Sequence, residues 1–175
     1  VRAGLIAKEV DVFDTDKLGG VLAGQDAVIS AYSFDKAAND PYETMVRGAE
    51  SIIAATKQAG VKRLLVVGGA GSLEIAPGRQ AIDEPDFPPD WKGGALGTRE
   101  FLYRLREESD LEWTFLSPAA QLEPGERTAT FRLDGDTMLF DADGKSRISL
   151  PDYAVAMLDE LEDPKHTRAR FSVAY

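Results

Sequence analysis

Val61-Lys62-Arg63-Leu64-Leu65-Val66-Val67-Gly68-Gly69-Ala70-Gly71-Ser72 is the stretch whose reading decides the fold. Residues 64–67 are consecutive apolar side chains, too short a run for an ordinary helix, and predict a strand buried on both faces of a parallel sheet. A helix feeds it. Met45, Ala49, Ile52 and Thr56 recur at helical spacing, Val46 and Ile53 widen the stripe, and Gly60 stands where a helix C-terminal glycine is expected. Helix, glycine, basic pair, buried strand and small-residue loop make one step of a doubly wound α/β sheet. In such sheets ligands bind beyond the carboxyl ends of the strands, which here means the loop at residues 68–72.

The 175 residues suit one domain, residues 1–175, with a single core. A net charge of −10, from 30 acidic and 20 basic residues, argues against nucleic acid and anionic membranes as partners, because both would repel the surface. The absence of cysteine excludes disulfides, thiolate metal sites and thiol catalysis. With no apolar span of ~20 residues and no signal-type leader, the expected location is cytoplasmic. The first residues are Val1-Arg2-Ala3-Gly4, and a strand pattern is already present at Ala7, so a preceding segment is expected.

Taken in order, residues 7–12 read as a strand ending in Asp11-Val12-Phe13-Asp14. Thr15 or Asp16 then caps a helix that carries Leu18, Val21 and Leu22 and stops at Gly24. Residues 26–30 are the next strand, opening into a loop over 31–40, and Asp40-Pro41 starts the long helix. Residues 73–89, with Pro77, Pro85, Pro88 and Pro89 and no period, read as a long loop over the carboxyl edge. A helix over 91–108, weakened by Gly93, Gly94 and Gly97, leads to a strand at 113–117. Residues 128–133 and 137–140 flank Asp134-Gly135-Asp136 as a hairpin, 151–162 form an amphipathic helix, and 171–175 close the chain as a strand.

The phrases at 26–30, 59–72, 113–118 and 148–154 resemble the atypical short-chain dehydrogenase/reductase group. Within it the chain looks most like the NmrA-like NAD(P)H-binding proteins, which include NADH-flavin reductases and flavin reductases of the biliverdin reductase B type. The resemblance runs from about Ala7 to the last residue. It implies a Rossmann-like parallel sheet, NAD or NADP as cofactor, and an NAD(P)H-dependent oxidoreductase acting on a small-molecule acceptor such as a flavin or quinone, as a monomer or homodimer. An NAD(P)-sensing regulator and an epimerase or dehydratase are the alternatives.

Two departures from that pattern bear on the chemistry. Members open with a strand and a Gly-x-x-Gly-x-x-Gly turn for the pyrophosphate, and no such segment is present, so the N-terminal βαβ portion is expected to be missing from these residues. Because the first strand is central in this fold, its loss is expected to split the sheet and leave two unpaired edges. Dehydrogenases of the group that act on alcohols use a Tyr-x-x-x-Lys pair; here Tyr103 is followed by Glu107 and Tyr42 by Val46. Hydride transfer to a flavin or quinone survives that loss, since solvent can protonate the product.

The resemblance implies an adenine contact from Asp11 and Val12, and close approach of the adenosine half at Ser30, Ala31 and Tyr32. It implies a nicotinamide side at Gly68, Gly69 and Ala70, and a carboxamide contact at Ser117, Pro118 and Ala119. Arg99 is the candidate for ribose or phosphate, and Ser72 is the hydroxyl nearest the reacting centre and the candidate catalytic residue. Each has a plainer alternative: a strand-end turn for Asp11, packing for Ser30 and Ala31, a turn cap for Ser72, a solvated helix face for Arg99. Arg2 is too far offset from the third strand to serve as a 2′-phosphate ligand. His166, the sole histidine, is expected at a helix end on the surface, and no metal site is expected. Trp91 and Trp113 read as packing residues, although Trp91 borders the expected substrate edge and could cover an aromatic acceptor.

Overall fold

The computed structural model describes residues 4–34 and 37–175; Arg2, and Asp35 and Lys36 of the 31–40 loop, lie outside them. Helix α1 (Thr15–Leu22) precedes strand β1 (Ala27–Ser30), helix α2 (Pro41–Gln58) and strand β2 (Arg63–Val67). A short hairpin, β3 (Glu74–Ala76) and β4 (Arg79–Gln80), and a 3-10 turn at Ala81–Asp83 lead to helix α3 (Pro89–Glu107). Strands β5 (Glu112–Ser117), β6 (Gln121–Glu123), β7 (Arg132–Asp134) and β8 (Arg147–Ser149) follow, then helix α4 (Leu150–Glu162) and strand β9 (Ala169–Ala174).

The central sheet has the order β1-β2-β5-β9-β7. β1, β2, β5 and β9 are parallel, and β7 closes one flank antiparallel to β9. Period-two alternation divides the core between the faces. Leu64, Val66, Trp113 and Phe115 pack against α2 and α3, whereas Leu65, Leu116, Phe171 and Val173 pack with Tyr153, Ala156 and Met157 of α4. Helices therefore cover both faces, as a doubly wound sheet requires.

Local chemistry explains the helix limits. Asp40 accepts from the Glu43 N–H at 2.9 Å with Pro41 at the first turn, and Gly60, at φ +73°, ends the segment after α2. Asp14, not Thr15 or Asp16, caps α1, accepting from the Lys17 N–H at 3.1 Å. The glycines of α3 cost helix propensity but permit contact. A Cβ on Gly97 would stand 2.6 Å from Met45 Cβ and 2.9 Å from the Tyr42 carbonyl oxygen, and one on Gly94 would meet the Phe34 ring at 2.2 Å.

Several expectations are corrected. Residues 7–12 are not a strand: they form a ladder with none of the described residues, and Leu5 and Ile6 before them are 65% and 75% exposed. An extended segment becomes a strand only where its backbone groups find a ladder. The described strands form one continuous sheet with β1 at its flank, Ile29 of that strand 41% exposed, and residues 7–12 stand outside it without a ladder. Residues 73–89 are not structureless, since β3 and β4 pair across a turn at Gly78, but ladders of two or three residues are too short to show a period. The hairpin over 128–140 does not form. β7 gives its ladder to β9, while residues 136 and 138 bond to Glu74. The sequence showed no sign of the parallel pair β6-β8.

Candidate functional site

Parallel register aligns the strand ends. Ser30 is opposite Val66, and Val67 opposite Leu116, so the residues after β1, β2 and β5 leave the sheet side by side at its carboxyl edge. Ser30, Ala31 and Tyr32, the segment Gly68, Gly69 and Ala70, and Ser117, Pro118 and Ala119 are thereby gathered along one edge. Ala31 is exposed, residues 68–71 are half-buried, and Pro118 and Ala119 are buried.

Three contacts shape this edge. The Leu116 carbonyl accepts both from the Gly68 N–H at 2.8 Å and from the Tyr153 hydroxyl of α4 at 2.7 Å, tying the ends of β2 and β5 together. Gly68 admits no side chain, because its Cβ would lie 2.2 Å from the Phe115 ring. Phe34 packs on Gly94 and meets Trp91 edge to face at 6.2 Å, giving the α3 side an aromatic rim.

Asp11 and Val12 lie near the end of β1. The Asp11 carboxylate accepts from the Phe13 N–H at 2.9 Å in a tight turn, Val12 packs against the core, and Phe13 meets Tyr32 edge to face at 6.4 Å. Tyr32 donates to the Thr44 carbonyl at 3.0 Å, and burial raises its pKa, with the Arg47 charge opposing and the Asp11 charge adding to the shift. Ser72 and Arg99 stand differently. Ser72 is buried, and its Oγ accepts from Arg170 at 3.1 Å. Arg99 donates to Gln80 Oε1 at 3.0 Å and approaches Asp83 Oδ1 at 3.4 Å, which staples the 3-10 turn onto α3.

The edge suits part of a nicotinamide dinucleotide. The Ser117 Oγ is fully buried and has no hydrogen-bond partner among the described residues. Small side chains at Ser30, Ala31, Gly68, Gly69 and Ala70 let a ligand approach the backbone closely. The pyrophosphate is less well served, since residues 68–72 lead into the β3-β4 hairpin and no helix N-terminus stands behind them.

Sequence reasoning missed Tyr153 and Phe34. Tyr153 reads as one more apolar residue on the stripe of α4, and Phe34 sits in a loop without pattern. Only the facing glycine, Gly94, hints that an aromatic ring packs there. His166 lies just past the end of α4 and is half-buried, its ring stacking on Phe171 at 4.2 Å and its Nδ1 meeting Glu160 Oε2 at 2.8 Å.

Similarity to known proteins points the same way. A putative exported protein of Burkholderia pseudomallei is 43% identical, with a TM-score of 0.89 over 99% of this chain and 82% of that one. A putative epimerase of Bacteroides thetaiotaomicron is 44% identical, with a TM-score of 0.87 over 94% and 74%. A putative NADH-flavin reductase of Streptococcus pneumoniae is 37% identical, with a TM-score of 0.77 over 94% and 78%. Uncharacterized protein YwnB of Bacillus subtilis is 41% identical over 85% of this chain and 70% of its own length. Among the described residues no helix is long and apolar enough to cross a membrane. Residues 2–164 match the family model described as NAD(P)H-binding, and the chain belongs to that family.

Proposed function

We propose that the protein is an NAD(P)H-dependent reductase that passes hydride to a flavin, quinone or similar conjugated small molecule. The observation that carries this reading is the alignment of three parallel strand ends bearing small residues. The resemblance to a putative NADH-flavin reductase supports the acceptor class. When bound, the reduced nicotinamide supplies the hydride. Asp11, Val12, Ser30, Ala31 and Tyr32 flank the adenosine half; Gly68, Gly69, Ala70, Ser117, Pro118 and Ala119 line the nicotinamide half. Ser72, held by Arg170, orients the end of the loop and moves no proton, and Arg99 reaches ribose or phosphate only by exchanging Gln80 and Asp83 as partners. The proton that completes acceptor reduction comes from solvent, so the protein contributes positioning more than acid–base catalysis. A cytoplasmic location and a monomeric or homodimeric state belong to the same proposal.

The test is to mix the protein with NADH or NADPH and a panel of flavins and quinones, following the absorbance of the reduced nicotinamide. Acceptor-dependent oxidation is expected. Dinucleotide binding without oxidation by any acceptor overturns the reductase and favours a regulator that senses the redox state of the NAD(P) pool.

A further inference from the structure

Tyr153 is an unusual presence in the wall of α4. Its side chain is buried among Leu65, Leu116, Ala156 and Met157, yet its hydroxyl reaches through that apolar layer to one main-chain oxygen, that of Leu116, at 2.7 Å. The same oxygen receives the Gly68 N–H at 2.8 Å. One carbonyl thus joins three elements: the end of β5, the first residue beyond β2, and the first half of α4. A peptide unit is planar, so fixing the Leu116 carbonyl fixes the plane that leads into Ser117. The other link sets the height of Gly68, where only glycine fits because the Phe115 ring fills the space a side chain would need. Burial drives the Tyr153 pKa far above the ordinary tyrosine value, so the hydroxyl remains a proton-bearing donor and does not act as an acid or base.

We infer that Tyr153 is a positioning residue for the nicotinamide half of the site: through the Leu116 carbonyl it sets the mutual placement of Gly68 and Ser117. This inference rests on the reading of the carboxyl edge as the dinucleotide site, but not on which acceptor is reduced. It predicts an asymmetric effect. The adenosine half lies along β1 and the turn after Asp11, neither of which Tyr153 touches, so a ligand without nicotinamide is indifferent to the hydroxyl.

Tyr153→Phe in the full chain removes that hydroxyl and leaves Leu116 its bond from Gly68, so the fold is retained. Met157→Ala, which trims a buried side chain one turn further along α4, is the control for general loosening of that helix. Titration calorimetry with NADH or NADPH and with ADP-ribose reads the two halves separately. Tyr153→Phe is expected to weaken the dinucleotide about three- to tenfold and ADP-ribose by less than about twofold, the range of one lost neutral hydrogen bond. Amide exchange at Gly68 is expected to quicken in Tyr153→Phe. Met157→Ala is expected to lower the melting temperature without separating the two ligands. Equal weakening of both ligands by Tyr153→Phe, or the same separation in Met157→Ala, overturns the assignment. A ligand separation alongside no acceptor reduction leaves Tyr153 in this role and overturns the reductase reading alone.

Discussion

The two ends of the central sheet are built in opposite ways. At the amino end Arg63 of β2 donates to Thr114 Oγ1 at 2.8 Å, to the Glu112 carbonyl at 3.0 Å and to Glu160 Oε1 at 3.0 Å. Glu160 also accepts from the His166 N–H at 2.9 Å and the Lys165 N–H at 3.2 Å, and it contacts the His166 ring at 2.8 Å. At the carboxyl end the residues that follow the strands are mostly small, as at Ser30, Ala31, Gly68, Gly69 and Ala70. One end spends its polar groups on holding the strands to α4. The other carries small residues where the strands end. Burial raises the Glu160 pKa, but the hydrogen bonds from the His166 ring, the His166 N–H and the Lys165 N–H outweigh it, so the net value is lowered and the carboxylate stays ionised.

This contrast can be broken at either end. Glu160→Ala leaves the buried Arg63 guanidinium without its counter-charge and is expected to cost about 3–5 kcal/mol in denaturant unfolding. Dinucleotide affinity of the fraction that stays folded is expected to be unchanged, because the change lies at the far end of the strands. Gly68→Ala forces a methyl group into the Phe115 ring and is expected to cost about 1–3 kcal/mol, measured in the same way. Phe115→Leu beside it is expected to recover part of that loss, and failure to do so would mean that another contact sets the need for glycine.

A third prediction sharpens the contrast through pH. Asp152, fully buried at the start of α4, is pushed up by burial but held down to about 2 by hydrogen bonds from the Thr128 hydroxyl, the Ala129 N–H, the Tyr175 hydroxyl and the Thr128 N–H. A carboxyl group whose folded pKa lies below its ordinary value of 3.8 contributes stability above that value, and the contribution is lost as pH falls towards about 2. Wild-type stability is therefore expected to fall over that interval. In Asp152→Asn the fall is expected to be shallower, and an unchanged slope would show that another carboxylate controls acid unfolding.

Much of the fold was legible because its signals are local. The run at residues 64–67, the Asp40-Pro41 entry and Gly60 each report a nearby constraint, and together they gave the parallel sheet and its long helix. The strand over 7–12 failed because strand formation depends on a neighbour, and none of the described residues pairs with it. The hairpin over 128–140 failed for a related reason, since a turn signal does not reveal that β9 competes for the same backbone groups. In the site, sequence order was enough to bring Ser30, Gly68 and Ser117 to one edge. It could not show that Ser72 is tied to Arg170, 98 positions away, or that Tyr153 reaches a carbonyl 37 positions before it.

The glycines of α3 have a last consequence. At Gly97 the helix rests directly on α2, with no side chain between to act as a cushion, so the pair behaves as a single plate. Trp91 and Phe34 are mounted at the end of that plate. The turn at residues 80–83 is clipped to the same helix by Arg99. The aromatic pair and the turn are thus both carried by α3, so a substitution that shifts this helix is expected to move the two together.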